Sequence, residues 1–180
     1  MKVRVQVAIP VMLFFVVIEG ALIVLHYWAD DHQRKTIEFT AAIVGAGTAI
    51  YSVLLGVHSR RTAVSGSFIE RWNSPTFNQS KRAYVQAAGK VKADPAAHLE
   101  PNDRAAIITV LDFFEDLSLA VLMGRADEDT ARGFFYSIVT VAYAELEDWV
   151  KRVRIRYNQP TAFQHSEELY NRWRPHAKHE

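Results

Sequence analysis

The sequence predicts an all-α protein, in which a two-helix transmembrane hairpin is followed by a cytosolic helical bundle of four to five helices. Two apolar blocks near the N-terminus are each long enough to cross a bilayer. The rest of the chain repeats apolar residues at helical spacing, between Pro, Gly and Asp positions typical of helix ends. No stretch shows the alternation of a strand. We therefore expect a hairpin over residues 1–58 and a soluble helical domain over residues 59–180.

The first two predicted elements are membrane-spanning helices over about 7–27 and 37–57. Val7–Leu25 has 19 residues with one charge, that of Glu19, and Phe39–Val57 has 19 residues with none. A helix needs about 20 apolar residues to cross the hydrocarbon core, where its backbone groups must be satisfied internally. The first block is too long for a removed signal peptide, and no clear small-residue cleavage site follows it.

The link His26–Glu38 joins the two spans, and the basic residues around the spans predict their orientation. Four Lys or Arg residues flank the outer ends and two lie in the link: Lys2, Arg4, Arg60 and Arg61 against Arg34 and Lys35. Because flanking Lys and Arg stay on the cytoplasmic side, we expect both termini in the cytoplasm.

Glu19 is the one charged residue inside the first predicted span. An ionised carboxylate there costs on the order of 2.5–3.5 kcal/mol on insertion scales. An antiparallel hairpin brings Glu19 to the depth of Gly45, with Thr48 one turn away. The second span carries small or hydroxylated residues in two stripes: Ala41, Gly45 and Ala49, and Thr48, Ser52 and Gly56. Such stripes allow close helix packing and polar contacts. We hypothesise that Glu19 bonds across this seam, within the hairpin or between protomers. The alternatives are packing and orientation only, or a proton- or ion-sensitive site or oligomer contact.

The soluble domain is predicted as helices with recognisable ends. A first segment, 61–73, leads away from the membrane and can bend at Gly66. Ser74 followed by Pro75 is a cap and first-turn pattern for a helix ending near Val91. Residues 94–101 are then predicted as a loop. Asn102 or Asp103 caps the next helix, and Gly124 ends it.

The longest predicted helix is capped by Asp127 and ended by Asn158 and Pro160, and a final helix covers 161–173. Four cations lie near the end of the long helix: Lys151, Arg152, Arg154 and Arg156. They match the negative end of the helix dipole. The functional alternative is contact with an anionic lipid or an anionic ligand.

The composition of the chain argues against several classes of function. A net charge of +1 argues against a general nucleic-acid partner, and the absence of cysteine leaves no disulfide or thiolate metal site. Five acids cluster on two predicted helices: Glu115, Asp116, Glu145, Glu147 and Asp148. A di-iron site also needs Glu-x-x-His motifs, which are absent, so we interpret these acids as solvated faces and salt bridges. We expect no catalytic residue, no metal and no cofactor.

Several short motifs resemble one family. They are 72–77 (WNSPTF), 111–115 (LDFFE), 124–130 (GRADEDT) and the following helix to Trp149. They resemble a family of small bacterial membrane-anchored helical proteins catalogued only as a domain of unknown function. The resemblance covers most of residues 60–157. It implies a class of protein and an architecture, and it implies no activity.

The expected function is that of a non-enzymatic, multi-pass inner-membrane protein. The hairpin anchors the protein in the lipid bilayer and forms a homo-oligomer, while the cytosolic bundle binds an unknown protein or small-molecule partner. A different class is a triggered membrane effector or pore-forming oligomer that uses the hairpin. An enzyme is the third alternative, and no residue is nominated for it.

Overall fold

The computed structural model describes residues 2–28, 30–94 and 99–174, and these form six helices and no strand. In chain order they are α1 (Lys2–Trp28), α2 (Asp31–Asn73), α3 (Pro75–Ala93), α4 (Pro101–Leu122), α5 (Glu128–Arg156) and α6 (Gln164–Trp173). The predicted all-α class is confirmed. The chain divides into two compact units, Met1–His58 and Ser59–Glu180, and the boundary between them falls within α2.

The link His26–Glu38 is helical over most of its length. Only residues 29 and 30 separate α1 from α2. Asp30 begins α2 early because its carboxylate accepts the N–H of Gln33 at 2.9 Å. The Asp30 carbonyl accepts the N–H of Arg34, also at 2.9 Å. Asp is a favoured N-cap residue, and this local signal converts the link into the first turn of a helix.

α2 continues without interruption through Gly66, so the predicted segment 61–73 is the end of a longer helix. A single glycine costs a helix only about 1 kcal/mol relative to alanine, which the flanking turns tolerate. By length and composition, Gln33–Asn73 is the one stretch among the described residues that can cross a membrane. No residue of its apolar window is buried. In α1 the described apolar stretch is shorter, Phe14–Trp28.

Two of the predicted helix ends in the second unit are confirmed by their hydrogen bonds. The Ser74 hydroxyl accepts the N–H of Phe77 at 3.2 Å, with proline at the first position of α3. The Asp127 carboxylate accepts the N–H of Thr130 at 2.9 Å and begins α5. Gly124, with φ of 66°, ends α4. This left-handed conformation is one that glycine adopts without strain.

Two other predicted starts were wrong. α4 begins at Pro101 rather than after Asn102 or Asp103, because proline suits the first position of a helix, where no N–H is needed. α6 begins at Gln164 rather than Thr161, because Phe163 adopts φ of 56° and no helix continues through that conformation. Residues 95–98 of the predicted loop lie outside the described part of the chain.

The core of the second unit is centred on α4, which packs against α3 and α6. α6 also packs against α5, so α4 and α5 meet mainly through α6. An aromatic cluster joins the end of α2 to α3, α4 and α5: Phe68, Trp72, Phe77, Phe113, Phe114 and Phe135. The Phe113 ring is fully buried at its centre. Aromatic pairs at these separations add to the stabilisation that burial provides.

Candidate functional site

Each helix of the first unit has one half-buried face. On α1 its members recur at helical spacing: Phe15, Ile18, Glu19, Leu22 and His26. On α2 they are Ile37, Ala41, Val44, Gly45, Thr48, Tyr51 and Leu55. The side chains between them are exposed. The structure therefore places Glu19 on the covered face of α1 and Thr48 on that of α2.

The hydroxyl groups predicted to meet Glu19 donate within their own helix. Thr48 Oγ1 donates to the Val44 carbonyl at 2.9 Å, and Ser52 Oγ donates to the Thr48 carbonyl at 2.9 Å. A hydroxyl has one proton to donate and two lone pairs that accept. Any bond between Glu19 and these hydroxyls in this arrangement must therefore be donated by a protonated Glu19 carboxyl.

The small residues of the predicted seam divide between two faces of α2. Ala41 and Gly45 lie on the half-buried face, whereas Ala49, Ser52 and Gly56 are exposed. A Cβ atom at Gly45 or Gly56 would meet nothing within 4 Å. Within the described residues, therefore, no close approach of helices depends on either glycine.

Arg154, one of the four predicted anion-binding cations, holds the chain that follows α5. Its Nε donates to the Ala162 carbonyl at 2.9 Å, and its Nη1 donates to the Glu167 carboxylate at 2.8 Å. Its side chain is only 17% exposed. A charge used in this way contributes to docking of α6 and is not presented to a ligand.

The other three cations of that cluster have different surroundings. Lys151 pairs with Glu147 one turn earlier at 2.8 Å. Arg152 is half-buried, whereas Arg156 is exposed with its guanidinium 5.8 Å from the Tyr157 ring centre. The four cations therefore do not present a single basic surface.

Glu115 of α4 caps α6 from outside that helix. Its Oε1 accepts the His165 N–H at 3.1 Å and lies 2.6 Å from His165 Nδ1. Its Oε2 accepts the Ser166 N–H at 2.9 Å and the Ser166 hydroxyl at 2.8 Å. Burial raises the pKa of Glu115, but the hydrogen bonds from Ser166 and His165 outweigh that effect and hold the pKa below its usual value.

Two neighbouring acids complete an acidic face on α4. Burial raises the pKa of Asp112, and the nearby charges of Asp116 and Glu115 raise it further. Asp116 pairs with Arg71 at the exposed end of α2, with an N–O distance of 3.2 Å. This side of α4 therefore carries one strongly bound carboxylate between two more solvated ones.

The far end of α6 is held by an acid of α5. The Glu128 carboxylate accepts the Trp173 indole N–H at 3.0 Å and pairs with Arg172 at 2.6 Å. Glu128 also lies in the first turn of α5, where the helix dipole favours negative charge. α6 is thus fixed at its start by α4 and at its end by α5.

A third polar junction joins the turn between α4 and α5 to the part of α2 in the second unit. The Asp127 N–H donates to the Arg61 carbonyl at 3.1 Å. The fully buried Ser65 hydroxyl donates to the Asp127 carbonyl at 2.9 Å. Sequence reasoning missed this junction because its partners are far apart in the chain.

The Glu115 cap was also missed, since that acid was interpreted as part of a solvated face. One feature of the sequence next to α6 indicates that this helix is capped from elsewhere. No Ser, Thr, Asp or Asn directly precedes α6, where Phe163 occupies the cap position without a side-chain hydrogen bond. A helix start without its own cap needs acceptors from elsewhere.

A shallow, open groove of about 470 Å³ lies on α5. Its lining comes from a single helix: Asp129, Arg132, Gly133, Phe134, Tyr136 and Ser137. Across the same residues, no group of three or more His, Asp or Glu side chains has an arrangement suited to a metal ion. The organised polar chemistry of the second unit is therefore concentrated at the helix junctions.

Comparison with known proteins places the chain in a family. No curated protein and no solved structure matches it. A family model described as a domain of unknown function, DUF4760, matches residues 39–173. The match begins at the second apolar block and ends with the last residue of α6, so it is longer than the 60–157 range of the motif resemblance. Because the match covers well over half of the chain, this protein belongs to the DUF4760 family.

Proposed function

We propose that this protein is a multi-pass bacterial inner-membrane protein whose α1–α2 hairpin anchors a cytosolic bundle that binds a protein or small-molecule partner without catalysis. The observation that carries the proposal is the exposed apolar surface of the first unit. Its large side chains that are more than half exposed include Phe14, Val16, Val17, Ile23, Val24, Phe39, Ile43, Ile50, Val53 and Leu54. Water-soluble monomers rarely expose so large an apolar surface, whereas hydrocarbon solvates it.

The hairpin arrangement is supported by the short connection and by the half-buried faces. A connection of two residues is within the range that joins the two antiparallel helices of an αα-hairpin. One covered face on each helix is what two neighbouring helices of a hairpin produce. The basic flanks then favour both termini in the cytoplasm.

The binding role is supported by how the second unit uses its partly buried ionic groups. Glu115, Glu128 and Arg154 each hold α6 in place. Groups committed to structural hydrogen bonds are poor candidates for proton transfer, which requires a side chain within reach of a substrate. A bundle whose last helix is held at both ends by such bonds is instead suited to presenting a surface.

Topology can be tested with single cysteines, because the natural chain has none. Gln33→Cys places a thiol at the start of α2, and Val85→Cys places one on the exposed surface of α3. With a membrane-impermeant maleimide, we expect Gln33→Cys to label in intact spheroplasts and Val85→Cys to label only after permeabilisation. The cysteine-free protein gives the background. Labelling of Val85→Cys in intact cells, or release of the protein by alkaline carbonate, would overturn the proposal.

Partner binding is tested by native mass spectrometry of the full-length protein in mild detergent. We expect a defined oligomer that carries a bound protein or small molecule. A bare oligomer would contradict the binding role and favour the second candidate below.

The second candidate is a triggered membrane effector or pore-forming oligomer. It is favoured by the position of Glu19 on the half-buried face of α1, since an intramembrane carboxyl usually serves function. In that case expression depolarises cells, and Glu19→Leu abolishes the effect while Glu19→Gln, which keeps a hydrogen-bond donor, retains part of it. Glu38→Gln, at an exposed position of α2, is the matched control. Under the anchoring function none of these proteins changes the membrane potential.

A further inference from the structure

The turn between α4 and α5 lies against the first residues of α2 that belong to the second unit. The Asp127 N–H donates to the Arg61 carbonyl, and the Ser65 hydroxyl donates to the Asp127 carbonyl. The Arg61 guanidinium lies 3.7 Å from the position that a Cβ atom on Gly124 would occupy. The turn and the start of this α2 segment therefore form one continuous surface within the second unit.

That surface is basic and carries one exposed apolar side chain. Arg60 and Arg61 are exposed on α2, and Arg125 is exposed on the turn. Met123, beside Arg125, is 66% exposed. Among the described residues none of these three arginines pairs with an acid, in contrast to Arg71, Arg154 and Arg172. The four side chains Arg60, Arg61, Met123 and Arg125 are called the juxtamembrane surface below.

The nearby acids do not neutralise this surface. Asp127 accepts the N–H and the hydroxyl of Thr130, at 2.9 and 2.6 Å, as the cap of α5. Glu128 is paired with Arg172 at 2.6 Å. Asp129 is the remaining exposed acid of the first turn. Three arginines against the two carboxylates of Asp127 and Asp129, with Glu128 paired to Arg172, leave a net positive surface.

We propose that the juxtamembrane surface binds the headgroups of anionic phospholipids in the bilayer. The inference rests on the proposed function, because only His58 and Ser59 separate Arg60 and Arg61 from Val57, the last residue of the apolar block, along one uninterrupted helix. Guanidinium groups form paired hydrogen bonds with phosphate oxygens. The flexible, apolar Met123 side chain suits the boundary between headgroups and acyl chains.

The geometry selects this end of the second unit over the basic cluster at the end of α5. Arg104, in the first turn of α4, donates to the Tyr157 hydroxyl at 2.9 Å. The C-terminal end of α5 therefore lies beside the start of α4, at the opposite end from the turn that contacts Arg61. Lys151, Arg152 and Arg156 thus provide a distal control of matched charge on the same protein.

The test is native mass spectrometry of the full-length protein, titrated in mild detergent with phosphatidylglycerol and with phosphatidylcholine. Each arginine near an anionic membrane surface contributes about a fivefold increase in binding. We expect wild-type protein to retain phosphatidylglycerol at least tenfold in preference to phosphatidylcholine. The triple variant Arg60→Gln, Arg61→Gln, Arg125→Gln should lose that preference, whereas Lys151→Gln, Arg152→Gln, Arg156→Gln should keep it.

The single variant Arg125→Gln decides whether the turn takes part. We expect it to lower phosphatidylglycerol binding about fivefold. Wild-type binding by Arg125→Gln, or equal losses in the two triple variants, would overturn the inference. Displacement of the lipid by millimolar glycerol phosphate would also overturn it, since that outcome means a site for a soluble phosphate.

Circular dichroism verifies that each variant is folded. Release by alkaline carbonate contradicts the membrane proposal itself, whereas a carbonate-resistant protein without lipid preference contradicts only this inference.

Discussion

At the scale of single residues, Glu115 of α4 caps the start of α6 through both of its carboxylate oxygens. Its side chain is 24% exposed and accepts bonds from two backbone N–H groups of α6. Glu115→Gln replaces a carboxylate with a weaker acceptor that also carries a donor, so we expect the free energy of unfolding to fall by about 2 kcal/mol. Chemical denaturation of the detergent-solubilised protein, followed by tryptophan fluorescence, measures this loss.

The same residue predicts a pH dependence. Because hydrogen bonds hold the folded-state pKa of Glu115 below its ordinary value of 4.5, its stabilisation is fully present above that value. The stabilisation is lost as pH falls through the lower, folded-state pKa. Glu115→Gln should therefore flatten the acid limb of the stability curve. Asp116→Asn removes an exposed pair with Arg71, and we expect its effect to stay within about 0.5 kcal/mol. Equal effects of the two variants would contradict the cap.

At the scale of elements, the α4–α5 turn depends on a residue with positive φ. Gly124 has φ of 66°, whereas Gly133 lies within α5 with nothing within 4 Å of an added Cβ. Gly124→Ala should lower the free energy of unfolding by about 1 kcal/mol, because alanine is strained in that conformation. Gly133→Ala should raise it by about 0.5–1 kcal/mol, because alanine favours a helix. Thermal unfolding followed by circular dichroism compares the pair, and a shift of the same sign in both variants would contradict this account.

At the scale of the whole molecule, the division into two units predicts that damage to the bundle leaves the proposed membrane anchor in place. Phe113 is fully buried and contacts five other aromatic rings. Phe113→Ala should destabilise the second unit by about 3–5 kcal/mol. Limited proteolysis should then cleave within residues 75–173, while the first unit stays in the carbonate-washed membrane fraction.

Phe134→Ala is the matched control, because this ring is on the surface of α5 and 37% exposed. We expect a much smaller change in protease sensitivity. Loss of Phe113→Ala from the membrane fraction would show that the two units depend on one another for folding.

Local patterns along the chain predict the helical class, both apolar blocks, the caps at Ser74 and Asp127 and the stop at Gly124, because each depends on neighbours within about one helical turn. The same local logic misplaced the starts of α4 and α6, where Pro101 and Phe163 set the backbone. In the first unit, the amino-acid sequence alone indicates Glu19 and Thr48 as polar residues within the apolar blocks. Only the structure shows that the small residues of the second block divide between two faces of α2.

The contacts that organise the bundle could not be read in this way. Glu115 with Ser166, Glu128 with Trp173 and Asp127 with Arg61 each join residues that are distant in sequence. Local patterns indicate where a helix starts and ends. Only the packing of helices decides which distant side chain bonds to the backbone groups that are left unpaired at a helix end. For the same physical reason, the sequence identifies Arg60 and Arg61 as flanking charges, whereas the tertiary structure alone adds Arg125 and Met123 to them.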